Sequence, residues 1–128
     1  MLSEFLKEEH VGKNQIIKLI VGDTLNLYLF INQNTQVEPI RYVLEQDDVV
    51  YFRIMQYWHD FEHPVVEKTY TSSSTTDDDG NLLIHLDSED TEDLVPGTYF
   101  YCIKLVHVEN DGDVVYTIMP STLFYLMP

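Results

Sequence analysis

Apolar and polar residues alternate with period two along most of this chain, and that alternation predicts strands with one buried face. The clearest run follows Leu94-Val95-Pro96-Gly97. A Pro-Gly pair marks a tight turn, because proline presets φ and glycine accepts φ > 0. Beyond it Tyr99, Tyr101, Ile103 and Leu105 share one face, while Thr98, Phe100, Cys102, Lys104 and Val106 share the other. Aromatic and β-branched residues in this register predict a central strand reaching about Val108. Its inward row is large and apolar, so a second layer must cover it, and that layer is expected to be sheet.

The same reading extends in both directions. Residues 15–21 form a short strand, and Gly22-Asp23 turns the chain. Leu25, Leu27, Leu29 and Ile31 then face inward, opposite Asn26, Tyr28 and Phe30. Ile40, Tyr42 and Leu44 alternate with Arg41 and Val43 in a short strand. Val50, Phe52 and Ile54 form the inward row of a strand over 49–57. Residues 65–71 and 81–86 add two more, the latter with Leu82, Ile84 and Leu86 in register. Asp87 to Leu94 predicts one helical turn capped by Asp87 or Ser88, with carboxylates at its positive end. Asn110-Asp111-Gly112-Asp113 predicts a hairpin. Residues 114–118 return, Pro120-Ser121 interrupts them, and 122–126 close the sheet. About seven to nine short strands without a long helix predict an all-β fold, an immunoglobulin-like antiparallel β-sandwich. Residues 15–128 form that domain. Residues 1–14 form an N-terminal arm or short helix, since Leu2, Phe5 and Leu6 share a helical face.

Charge narrows the partners. The chain carries a net charge of −15 over 128 residues, with no Lys/Arg cluster to offset it. A phosphate backbone or an anionic membrane surface would be repelled, so neither nucleic acid nor membrane is expected as a partner. No apolar run approaches the ~20 residues of a membrane span. The acidic start Met1-Leu2-Ser3-Glu4 lacks the basic, apolar pattern of a signal peptide. Cys102 is the sole cysteine, so an intrachain disulfide is impossible. It reads as a buried or half-buried thiol in a protein made in a reducing cytoplasm.

Candidate chemistry is sparse. His59-Asp60-Phe61-Glu62-His63 satisfies the H-x-x-E-H pattern of inverted zinc peptidases. That chemistry needs both imidazoles on one helical face, whereas here Pro64 biases His63 away from helix and the segment joins two strands. Asp77-Asp78-Asp79-Gly80 resembles the middle of a calcium loop, but with Gly80 at the sixth position Thr75 and Leu86 fall where ligands belong. A looser calcium site would combine Asp77, Asp79, Asp111 and Asp113 from facing loops. No Gly-x-Ser-x-Gly elbow and no phosphate-cradling glycine loop occurs. His85 and His107 sit in strands and read as satisfied sheet residues. No enzyme and no cofactor are therefore expected. The aromatics Tyr28, Phe30, Tyr51, Tyr57, Trp58, Phe61, Tyr70, Phe100, Tyr116 and Tyr125 exceed what one core row can hold. Some must face outward, as at interfaces. The expected partner contacts are Leu2, Phe5 and Leu6 in the arm and Tyr57, Trp58 and Phe61 in the connection.

Several short patterns, in order, resemble the immunoglobulin-like domains of tailed-phage virion proteins. They are Gly22-Asp23-Thr24, Asp48-Val49-Val50-Tyr51-Phe52-Arg53-Ile54 and Glu67-Lys68. Ile84-His85-Leu86, Asp90-Thr91, the run from Leu94 to Tyr101, and Val115-Tyr116-Thr117-Ile118 follow. The resemblance implies a non-catalytic virion building block, present in multiple copies, assembled in the host cytoplasm and contacting other capsid or tail proteins. Baseplate upper proteins continue into a helical or fibrous region that this sequence does not contain, which favours head decoration over a tail or baseplate adaptor. It supplies no catalytic residues. The alternative expectation is a carbohydrate-binding β-sandwich, calcium-assisted, whose Trp58 and tyrosines stack on sugar rings.

Overall fold

Alternation becomes strand pairing in a computed structural model of the chain, which describes residues 2–7, 15–33 and 40–128. The strands are β1 (Leu2–Lys7), β2 (Ile17–Ile20), β3 (Leu25–Gln33), β4 (Ile40–Arg41), β5 (Val49–Met55), β6 (Pro64–Tyr70), β7 (Leu82–Leu86), β8 (Gly97–Glu109) and β9 (Gly112–Met127). One helical turn, α1 (Ser88–Thr91), precedes β8, with Asp87 as its N-cap. The fold is all-β, in two sheets.

The first sheet centres on β3. β1 pairs antiparallel along one side of it, from Leu2↔Gln33 to Lys7↔Tyr28. On its other side β7 pairs with residues 25–29 and β4 with residues 32–33, and the sheet curls. The second sheet runs β2–β9–β8–β5–β6. Its ladders are antiparallel except that β2 lies parallel to β9, with Ile17 opposite Phe124.

The predicted inward rows meet in a single core, joined by residues of β2 and β9. Leu25, Leu27, Leu29, Ile31, Leu82, Ile84 and Leu86 come from the first sheet. Val50, Phe52, Ile54, Tyr99, Tyr101, Ile103, Leu105, Phe124, Leu126, Ile17 and Leu19 come from the second. At its centre the Phe52 and Tyr101 rings lie 5.7 Å apart. Each such side chain removed from water contributes about 1.5–3 kcal/mol, against the entropy of ordering it.

Two features anchor the start of β8. The Asp87 N–H donates to Asp90 Oδ2 at 2.7 Å, and Lys68 pairs with that same carboxylate at 2.9 Å. The Tyr99 hydroxyl donates to the Val95 carbonyl at 2.6 Å, closing the Pro-Gly corner. Across the molecule the Gly22 N–H, in a turn with φ +82°, donates to the buried Thr91 hydroxyl at 3.0 Å.

Two expectations need correction. Of the two alternatives for the N-terminus, arm or short helix, the helix at Leu2, Phe5 and Leu6 is replaced by strand β1: six residues cannot sustain a helix alone, whereas the open side of β3 offers a full ladder. The interruption at Pro120-Ser121 is a register shift inside one continuous β9. Proline has no N–H to donate, so the ladder slips around Ile103, and the consecutive residues Ile118 and Met119 are both buried.

Candidate functional site: an aromatic and cationic face on the five-stranded sheet

Residues that alternate with the core rows of β5 and β8 form the outer face of the second sheet. Register sets Tyr51 opposite Lys104, Arg53 opposite Cys102 and Met55 opposite Phe100. Arg53 organises this surface. Its guanidinium carbon lies 4.1 Å from the Phe61 ring centre and 5.0 Å from that of Tyr51. It also donates to the Phe61 carbonyl at 3.0 Å and pairs with Glu67 on β6 at 2.7 Å. The connection after β5 is thereby folded back onto the sheet. Lys104 Nζ approaches the same Phe61 ring at 4.5 Å. Such cation–ring contacts contribute about 0.5–1 kcal/mol where exposed and more where water is excluded.

The aromatic rim is built by the same connection. Trp58 packs edge-on against Phe100, with centroids 5.1 Å apart, and against His59 at 4.7 Å. His59 has φ +62°, and its N–H donates to Ser121 Oγ at 3.3 Å, tying the turn to the shifted stretch of β9. Trp58 remains 52% exposed and Tyr57 64% exposed, the two largest rings open to solvent. Phe61 is half-buried. Cys102 on this face is buried, and burial pushes its thiol pKa up, away from the reactive thiolate.

A second constellation lies where two apolar rows run out. Asp48 continues the inward row of β5, and His107 continues that of β8, one step beyond the Val49↔Val106 pair. Asp48 is 1% exposed. Its Oδ2 accepts from the Tyr42 hydroxyl at 2.5 Å and from the Glu45 N–H at 2.8 Å. Its Oδ1 accepts from His107 Nδ1 at 2.6 Å. Burial opposes ionisation of this carboxyl, yet the three donors outweigh it and hold the pKa below the usual value. The hydrogen bond to Asp48 raises the pKa of His107, and burial followed by the adjacent carboxylate raises that of Tyr42. Glu45 Oε2 stands 3.8 Å from His107 Nδ1, and Glu109 Oε1 4.0 Å from Nε2.

The structure treats the expected site residues unequally. Trp58 and Phe61 pack on the face just described, and Tyr57 is exposed beside Trp58 in the same connection. Leu2, Phe5 and Leu6 lie in β1, in the other sheet. The rest of the N-terminal arm, residues 8–14, lies outside the described residues. Residues 59–63 form turns, with His63 Nδ1 2.8 Å from Asp60 Oδ1, and no helix presents the two imidazoles together. Asp77 serves its own loop: Oδ1 accepts from the Asp79 and Asn81 N–H groups at 3.0 and 2.8 Å, and Oδ2 from the Asn81 amide at 3.0 Å. Among the described residues, the metal-ligating atoms that converge within 4.8 Å of one another belong to Glu45, Asp48 and His107, not to Asp77, Asp79, Asp111 and Asp113. His85 contacts Asn26 and Asp87 through its two ring nitrogens, the satisfied role expected of it.

The sequence reading missed Arg53, Lys104 and the Asp48–His107 pair as functional candidates. The parity that places Arg53 beside Tyr51, and Lys104 beside Phe100, was available. So was the polar end of each apolar row. No known protein family matches the chain in sequence, and no curated protein matches it. Among the described residues, no helix is long and apolar enough to cross a membrane.

Proposed function

We propose that this chain is a non-enzymatic docking protein, an immunoglobulin-like sandwich that holds a neighbouring protein against its outer aromatic face. Strand order supports the fold assignment. β5, β8 and β9 are adjacent, as C, F and G are in that family, with β6 as an added C′ strand, and β1, β3 and β7 match A, B and E. The Tyr99–Val95 hydrogen bond resembles the tyrosine corner that this family has where strand F begins, and supports the same reading. The chain departs from antibody domains in having no inter-sheet disulfide. The Phe52–Tyr101 contact fills the centre instead.

One observation carries the functional reading: Trp58 stays 52% exposed while its ring packs on Phe100, next to an exposed Tyr57 and on the sheet face that carries the Arg53–Phe61 stack. Exposed rings on a rigid, cation-braced sheet are the anchors of protein interfaces. The ordered resemblance to tailed-phage domains supports a virion as the setting, in a head-decoration, tail or baseplate role. Quantitative mass spectrometry of purified particles tests this. The chain should be present at a copy number matching the particle's symmetry, and Trp58→Ala should lower that number without unfolding the protein. Glycan-array binding that disappears in Trp58→Ala would install the carbohydrate-binding reading in its place.

A further inference from the structure

We propose that Glu45, Asp48 and His107 bind one divalent cation of the zinc class, at the end of the core where β5 begins. This site is separate from the docking face and does not depend on it.

Three observations converge. First, two carboxylates address one imidazole nitrogen. Asp48 Oδ1 and Glu45 Oε2 lie 2.6 and 3.8 Å from His107 Nδ1, and a single N–H can serve only one of them. A cation in place of that proton serves both. Ligands at about 2.0–2.2 Å around a tetrahedral ion stand roughly 3.3 Å apart, so the short contact opens and the long one closes by less than about 1 Å. Glu45 can make that adjustment, since its side chain is 66% exposed on a turn. Second, the remaining ligands are held by the β5–β8 ladder. His107 lies on β8 and Asp48 is the residue just before β5, and the Tyr42 hydroxyl, 3.5 Å from His107 Nδ1, fixes the Asp48 carboxylate through Oδ2, as outer-shell donors do for metal-binding carboxylates. Third, charge is unbalanced. The carboxylates of Glu45, Asp48 and Glu109 surround His107 in a chain of net charge −15, a setting that favours a bound cation.

The ligand set selects the metal. An imidazole with two carboxylates suits zinc or cobalt better than calcium or magnesium, which prefer all-oxygen shells. Water completes the coordination.

The test is calorimetric titration of the chelator-treated full chain with zinc chloride at pH 7.5, with ring-nitrogen NMR of His107. About one equivalent should bind, with the His107 signal shifted, and excess calcium should not displace it. His107→Gln should weaken binding about 100-fold and Glu45→Gln about 10-fold, the range seen when a ligand environment is damaged. Absence of stoichiometric zinc binding, displacement by calcium, or affinity unchanged in the variants overturns the proposal. If His107→Gln does not fold, as judged by circular dichroism, Glu45→Gln on its exposed turn decides alone.

Discussion

Replacing Tyr99 with phenylalanine removes one hydroxyl and nothing else. The ring is 7% exposed and stays in the core, while the hydroxyl's 2.6 Å hydrogen bond to the Val95 carbonyl is lost. A net hydrogen bond of this kind contributes about 0.5–1.5 kcal/mol. An orphaned buried acceptor would add to that, but Val95 is 76% exposed, so water can reach its freed carbonyl. The expected loss is therefore about 1 kcal/mol, equivalent to a Tm lower by roughly 4 °C for a domain of this size. Urea unfolding followed by far-UV circular dichroism measures it. The midpoint should fall with m unchanged, because the surface exposed on unfolding is the same. Tyr57→Phe, at a hydroxyl open to solvent, is the control and should leave the midpoint where it is. A Tyr99→Phe midpoint equal to wild type would show that the Pro-Gly corner holds without this bond. A loss above about 2.5 kcal/mol would show that the hydroxyl carries more than one hydrogen bond's contribution.

Phe52→Ala should cost about 3–5 kcal/mol in the same assay, since the ring is fully buried against Tyr101 and the rigid sheets cannot close the void. Asp48→Ala should cost about 3 kcal/mol, because it leaves Tyr42, the Glu45 N–H and His107 without their shared acceptor. In chelator-treated protein, the Asp48–His107 pair should stabilise the fold only within a pH window. The lowered Asp48 pKa means its contribution is lost as pH falls through the folded value, and the raised His107 pKa means its contribution is lost as pH rises through its own. Asp48→Asn should flatten both limbs of that profile. Trp58→Ala should change stability by less than about 1 kcal/mol, the indole being half-exposed, so that any loss of docking reports on the surface itself.

Side-chain parity is a local property, and it told most of the story before any fold was known. Leu25 to Ile31, Val50 to Ile54 and Tyr99 to Leu105 point inward as their alternation requires, and the Asp87 cap and the Asn110–Asp113 hairpin fall where turn chemistry puts them. The crowd of aromatics likewise announced an outer surface, and Tyr57, Trp58 and Phe61 form part of it.

Pairing is not local, and there the sequence was silent. Whether Leu2–Lys7 coils or extends depends on the open side of β3, not on its own six residues. Pro120 ends a strand in isolation, but the long ladder to β8 absorbs it as a register shift. Arg53 becomes the organiser of a surface only because the chain after β5 returns Phe61 to it. Asp48 and His107 lie 59 residues apart and meet because β5 and β8 are neighbours in one sheet. Period two assigns each residue a face, since that follows from backbone geometry alone. Which strand lies beside which follows from burying every apolar row at once, and that is a property of the whole chain.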